Sequence, residues 1–219
     1  MDFDIKDWRE GWKTAWDNSH FKIYFLFILI AFVIVILFYG RFLDYIELRP
    51  GSVLVDPVLN RFIPIEVTWF TFGIIYLSVI VVLIHLSWQP FQLLIAFQAY
   101  IFIALARMLS MYLTPLDPPP LLIPLEDPFV QSVSSGVVLT RDLFFSGHTS
   151  TAFLLFLSST GRKMKIFFLI CTILIGILVL VQHVHYSIDV LAAPFYAYTC
   201  YKISSYLSSK FLLTTEDTK

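Results

Sequence analysis

Ser146-Gly147-His148-Thr149-Ser150 and His183-Val184-His185-Tyr186-Ser187-Ile188-Asp189 are two short polar stretches, each at the edge of a long apolar run. Together they supply imidazoles, hydroxyls, a flexible backbone and one carboxylate. Ser146 suits the N-cap of a helix, and Gly147 allows close approach of another group to the backbone. In a helix starting near Tyr186, His185 and Asp189 stand four residues apart and share a face. A carboxylate against one imidazole nitrogen fixes the tautomer and raises the basicity of the other nitrogen. His185 is therefore a candidate nucleophile and His148 a candidate general acid. The N–H groups and dipole of a helix beginning at Ser146 suit a phosphate, so Ser146, Gly147 and Thr149 are candidate phosphate-binding residues.

The apolar runs on either side decide the fold class. Hydrophobic residues make up 58% of 219 residues, charged residues 14%, and mean hydropathy is +0.78. A water-soluble core cannot cover that much apolar surface, so lipid must. The expected fold is all-α, a polytopic membrane protein with six transmembrane helices at about residues 21–40, 68–86, 91–110, 144–160, 166–182 and 186–209, the last interrupted by Pro194. Residues 1–20 form an amphipathic segment with Trp8, Trp12 and Trp16 on one helical face. Residues 21–209 form the membrane domain, and residues 210–219 a polar tail. Six of the eleven prolines fall between Pro115 and Pro128, so the stretch from Met111 to Leu143 is an extended loop rather than a helix. Glu126 and Asp127 belong to its solvated part.

A net charge of −1 argues against a nucleic-acid partner. Cys171 and Cys200, both inside apolar runs, are packing residues. His20 and His85 are polar anchors near membrane surfaces, and Lys202 reaches toward the inner surface. With the N-terminus inside, the inner segments carry ten Lys and Arg and the outer segments five: Arg41, Arg49, Arg61, Arg107 and Arg141. Both termini are thus expected in the cytoplasm. The fourth and sixth spans then begin at the outer surface with His148 and His185. Arg107 lies about 24 Å along the third span and reaches the same depth, where it can neutralise charge developing on phosphoryl oxygens.

Ser146-Gly147-His148-Thr149 and His185-Tyr186-Ser187-Ile188-Asp189-Val190 resemble the two signature motifs of the sphingomyelin synthases, a branch of the type 2 phosphatidic acid phosphatase superfamily. Asp142-Leu143-Phe144-Phe145 resembles the residues before the first motif, and Arg107-Met108-Leu109-Ser110-Met111-Tyr112-Leu113-Thr114 resembles the third-span segment. The resemblance covers about residues 100–202. It implies that His185 attacks phosphorus to give a phosphohistidine, that Asp189 orients it, and that His148 protonates the leaving group and then activates the acceptor. Tyr186 and Asp142 are further candidate substrate-binding residues, and the resemblance implies no metal and no cofactor. The partners it implies are membrane lipids: a phospholipid donor, with ceramide, diacylglycerol or water as acceptor. The site would face the non-cytoplasmic side.

The sequence also departs from the broader superfamily. Phe42 stands where a Lys-x6-Arg-Pro motif ending at Arg49-Pro50 would have its lysine. Leu178 and Val179 replace the Ser-Arg pair before the nucleophilic histidine. Sphingomyelin synthases share these departures, which put more weight on Arg107 and on Arg141 as phosphate ligands. Arg141 and Asp142 can also pair with each other. The Pro-rich first-loop motif of that branch has only a faint counterpart in Asp56-Pro57. Three other readings stand beside this one: a lipid phosphate phosphatase, a zinc hydrolase using His183, His185, Asp189 and His148, and a non-catalytic lipid-binding or transport protein. His183 is either a support for the site or a loop residue facing water. Head group and oligomeric state are not written in these residues.

Overall fold

The computed structural model describes residues 5–125 and 138–213, and within them every regular element is helical. The helices are α1 (Ile5–Asp17), α2 (Ser19–Glu47), α3 (Thr68–Ser87), α4 (Pro90–Leu113), α5 (Gly147–Ser158), α6 (Arg162–Val181) and α7 (Ser187–Leu213), with one 3-10 turn at Leu59–Arg61. Glu126, Asp127 and Lys219 lie outside the described residues.

Four of these helices are long and apolar enough to cross a membrane: α2, α3, α4 and α6. Their outward faces are lined with exposed Leu, Ile, Val and Phe, among them Phe27, Ile30, Ile34 and Phe38 on α2 and Ile170, Ile173 and Ile177 on α6. Patches of that extent belong in hydrocarbon. The other two expected spans look different. The run at 144–160 contains only the 12 residues of α5, about 18 Å of helix against the roughly 30 Å of a bilayer core. Ser146 sets its start: the side chain accepts a hydrogen bond from the Thr149 amide at 3.3 Å, so Phe144 and Phe145 stay outside the helix. α7 is long enough at 27 residues but carries Asp189, Lys202, Lys210 and many hydroxyls, and is not among the four. It passes through Pro194 without a break, contrary to the expected interruption. α2 continues to Glu47, so Arg41 and Asp44 pair on a helix face at 3.7 Å rather than in a loop.

α4 is the most enclosed of the four and packs against α2, α5 and α7. Small residues, Ala99 on α4 and Ala193 and Ala197 on α7, let those backbones approach closely. Polar rungs cross the same seam. Gln98 donates to the Tyr24 hydroxyl and accepts from Ser208, both at 2.7 Å, and Gln92 donates to the Tyr201 hydroxyl at 2.7 Å. Each rung has both partners inside the protein, as a low-dielectric surrounding requires.

The two ends of the bundle differ. At one end the Trp12 indole donates to the Ser87 carbonyl at 2.7 Å, Tyr24 stacks on Phe211 with centroids 4.5 Å apart, and the Thr160 amide donates to His85 Nε2 at 3.1 Å. His85 is thus a buried junction between helix ends rather than a surface anchor. At the other end the connections knit together. Ser52 bridges to Leu116, the Ile65 amide donates to Val181, and buried Gln182 binds Val67, Thr68, Ile123 and Pro124. Gly51 lies directly on the backbone of Leu116, where a β-carbon would collide. Both described chain ends and the α6 start therefore share one end, and the loops share the other.

Cysteine labelling in sealed vesicles tests this division. In Ile63→Cys and Lys163→Cys, both exposed positions, the thiols are expected to react from opposite sides of the membrane, with the buried native cysteines silent. Labelling of both from one side would contradict the arrangement.

Candidate active site

Asp189 lies in the first turn of α7, and His185 just before it. His185 Nδ1 faces Asp189 Oδ2 at 3.3 Å, and both residues are 0% exposed. The same oxygen accepts the Tyr186 amide at 3.1 Å. A carboxylate at this position also benefits from the positive end of the helix. With Nδ1–H donating to the carboxylate, the lone pair of His185 sits on Nε2, which has no hydrogen-bond partner among the described residues. The His148 ring stands 6.3 Å from the His185 ring, inclined at 61°.

The first motif is joined to the second by backbone. The Ser146 amide donates to the Asp189 carbonyl at 3.0 Å. That bond fixes the start of α5 against the first turn of α7, and with it the relation of His148 to His185. Arg107, 6% exposed, lies against Gly147. A β-carbon at residue 147 would overlap the guanidinium, with Cζ at 2.7 Å; glycine is there because arginine must be. Arg107 donates from Nη2 to the Asp142 carbonyl at 2.7 Å and to its carboxylate at 3.3 Å. Its guanidinium also lies 5.9 Å from the Tyr39 ring centre.

Arg107, Asp142, Gly147 and His148 form the polar end of a chamber of about 410 Å³ between α2, α3, α4 and α5. The rest of its wall is mostly apolar, with Ile75, Ile103 and Ala104 toward the polar end and Leu86, Leu93 and Phe97 farther along. His148 also meets the Phe72 ring at 6.4 Å, one turn inside the start of α3, so the site is recessed below the loops. His185 and Asp189 do not line this chamber; they lie behind His148.

Not every candidate converges there. Thr149 points toward α6, about 3.9 Å from where a β-carbon on Gly176 would stand. The Tyr186 hydroxyl is committed to the loops, donating to the Asp117 carbonyl at 2.8 Å and accepting the Leu54 amide at 3.2 Å. Arg141 and Asp142 do not pair with each other. Arg141 binds Asp117 at 2.7 Å and the Glu47 carbonyl at 2.7 Å, while Glu47 accepts the amides of Thr140 and Arg141. Arg141 thus ties the loops to the end of α2, away from the Arg107 side. His183 is 3% exposed and does not face open water. Among the described residues no three His, Cys, Asp or Glu side chains converge as a metal site would require.

One residue essential to this geometry was left aside by sequence reasoning. Asp56, 7% exposed, accepts the Ser187 amide at 2.6 Å and the Ser187 hydroxyl at 3.0 Å, and so caps α7 from a loop 131 residues away. It also accepts the amides of Val58 and Leu59 at 2.9 and 3.2 Å. Burial pushes its pKa up, but the hydrogen bonds from Ser187, Leu59 and Val58 outweigh burial and hold the carboxyl below the ordinary value. An Asp-Pro turn was the available signal; its partner was not.

Residues 141–206 match the family model described as PAP2 superfamily C-terminal. The match takes in both motifs and supports the type 2 phosphatidic acid phosphatase superfamily, whose members are phosphatases and phosphotransferases acting on lipids. No curated protein gives a significant match to the chain. With the apolar helices, the family match supports an integral membrane protein of lipid phosphatase or phosphotransferase type.

Asp56→Asn removes a charge-assisted cap of α7, at a cost of about 2 kcal/mol. Because the folded pKa is depressed, this stabilisation is present above the ordinary carboxyl pKa and is lost as pH falls through the folded value. Thermal unfolding in detergent should find the variant less stable at pH 7, with the gap to wild type closing below about pH 4. An equal gap at every pH would contradict the assignment.

Proposed function

We propose that this protein transfers a phospho-head-group between membrane lipids in the manner of the sphingomyelin synthases, through a phosphohistidine on His185. The observation that carries the reading is the joining of an apolar chamber to a polar end made by His148, Arg107 and Gly147, with a buried His185–Asp189 pair immediately behind. A lipid donor places its chains in the chamber and its phosphodiester at the polar end.

His185 Nε2 attacks phosphorus. The bond from phosphorus to the lipid oxygen breaks, and His148 gives that oxygen its proton. Asp189 holds His185 in the required tautomer and stabilises the cationic ring. Arg107 and the amides at the start of α5 receive the phosphoryl oxygens as their charge grows. In the second half, His148 takes the proton of an acceptor hydroxyl, the acceptor oxygen bonds to phosphorus, and the phosphorus–nitrogen bond breaks to restore His185. The ring separation of 6.3 Å suits one phosphoester held between the two histidines. Thr149 supports the helix that carries His148, and Tyr186 and Asp142 position their neighbours. The site faces the non-cytoplasmic side, with both termini cytoplasmic, in keeping with the distribution of Lys and Arg. α5 and α7 complete a six-helix membrane domain.

Purified protein in lipid, given head-group-labelled phosphatidylcholine, phosphatidylethanolamine or phosphatidate with and without ceramide, tests the reading. Label on a new lipid only when ceramide is present is the expected result. Label released to water regardless of ceramide would make the protein a phosphatase or phospholipase C-like hydrolase, and no turnover of any donor would favour a non-catalytic role. His148→Ala is expected to lower turnover by at least 100-fold. Chelators should leave the rate unchanged; loss restored by zinc would contradict the metal-free mechanism.

A further inference from the structure

The apolar chamber has a definite depth. On α4 its lining runs from Arg107 to Leu93, 14 positions or about 21 Å of helix. On α3, Phe72, which stands beside His148, and Leu86 at the far end are also 14 positions apart. Two helices thus give the same distance from the polar end to the far end.

The far end is closed. Val82 and Leu86 of α3 and Phe168 of α6 are buried there in one cluster, with Leu93 and Ala96 of α4 and Leu155 of α5 packed against it. All but Phe168 line the chamber. Immediately beyond lies a polar junction. Gln89 donates to the Thr160 hydroxyl at 2.8 Å, and the Thr160 amide donates to His85 Nε2 at 3.1 Å. A hydrocarbon tail entering that junction would part hydrogen-bonded groups and offer them no partner. The leucines are therefore a floor backed by a polar seal.

A chamber with a polar end and a fixed floor measures what it binds. An extended chain advances about 1.2 Å per bond, so about 21 Å holds about 17 bonds counted from phosphorus to the terminal methyl. A methylene within the walls exchanges one apolar surrounding for another. One more than the floor allows must bend the chain or displace packed side chains. The floor acts against long chains and leaves shorter ones alone.

We propose that Leu86, Leu93 and Leu155 form a ruler that sets the upper chain length of the lipid held in the chamber, with Ala96 the position that leaves its lowest turn open. Resting on the proposed function, this makes the protein selective among donors by the length of the hydrocarbon chain.

Lipid retention tests this. The full chain in detergent is offered an equimolar series of phosphatidylcholines with chains of about 10 to about 20 carbons, then washed, and the retained lipids are measured by mass spectrometry. Wild type is expected to retain lipids up to a limiting length and to discriminate above it by about fivefold or more. Ala96→Leu, which fills space about one turn above Leu93, should lower the limit by about four carbons. Leu93→Ala, which opens the floor, should raise it by about two. Ile173→Ala, on the outward face of α6, should leave it unchanged. Shifts in opposite directions do not follow from a loss of stability. A second measurement needs no variant: phosphatidylcholine carrying a photoreactive diazirine at the chain terminus should crosslink to Leu86, Leu93 or Leu155 in wild type. An unmoved limit in either chamber variant that still folds, or crosslinks confined to the outward faces of α2 and α6, would overturn the proposal. Turnover is measured on the same samples. Turnover with an unmoved limit sinks the ruler alone, and a limit that moves in both variants without turnover of any donor sinks the proposed function alone.

Discussion

The hydrogen bond from the Ser146 amide to the Asp189 carbonyl is the constraint on which the site depends. It joins the first residue before α5 to the first turn of α7. Every other feature of the site hangs from one side of it or the other. On the α5 side, the Ser146 hydroxyl caps the helix, Gly147 admits Arg107, and His148 faces the chamber. On the α7 side, Asp189 holds His185. Two motifs whose bonded residues, Ser146 and Asp189, lie 43 positions apart in the chain are thereby set to within hydrogen-bonding precision. In a membrane protein such a bond is durable, because neither group has water to turn to.

The surrounding helices serve that junction in different ways. α4 lies at the centre, delivering Arg107 to Gly147 and holding α7 through small residues and the Gln98 and Gln92 rungs. The loops at the same end act as a second frame. Asp56 caps α7, Gln182 gathers four backbone and side-chain partners, and Arg141 and Glu47 fasten the approach to α5. Asp56 and Gln182 are buried, Arg141 and Glu47 partly so, and their hydrogen bonds specify one arrangement more strongly than apolar packing does. Among the described residues, His185 Nε2, Asp189 Oδ1 and Arg107 Nε at the site are buried without a hydrogen-bond partner.

Much of this was legible in the sequence, wherever the information is local. The four-residue spacing of His185 and Asp189 brings them together because any helix would. Ser146 announced a helix start, and the depth of Arg107 followed from helical rise along an uninterrupted apolar run. The same Ser146 should have shortened the fourth apolar run: Phe144 and Phe145 are hydrophobic, yet they precede the cap and cannot belong to the helix. Partners distant in the chain were not legible. Nothing near Arg141 says that it binds Asp117 and Glu47, and nothing near Asp56 says that it closes a helix beginning at Ser187. The glycine at 147 was read as a place of close approach, but nothing near it says that the approaching group is a guanidinium contributed by another helix.

The division of labour between the two histidines is the central claim. His148 lines the chamber and His185 lies behind it, so proximity alone would favour His148 as the attacking group. In the proposed mechanism His185 attacks instead, because the Asp189 carboxylate, facing Nδ1, leaves the lone pair of His185 on Nε2. The most direct measurement is the site of covalent phosphorylation. Protein incubated with phosphate-labelled donor lipid is quenched in alkali, digested and mapped. The account predicts acid-labile label on His185, absent from His185→Ala. Label on His148, or no covalent label under conditions of active turnover, would contradict it.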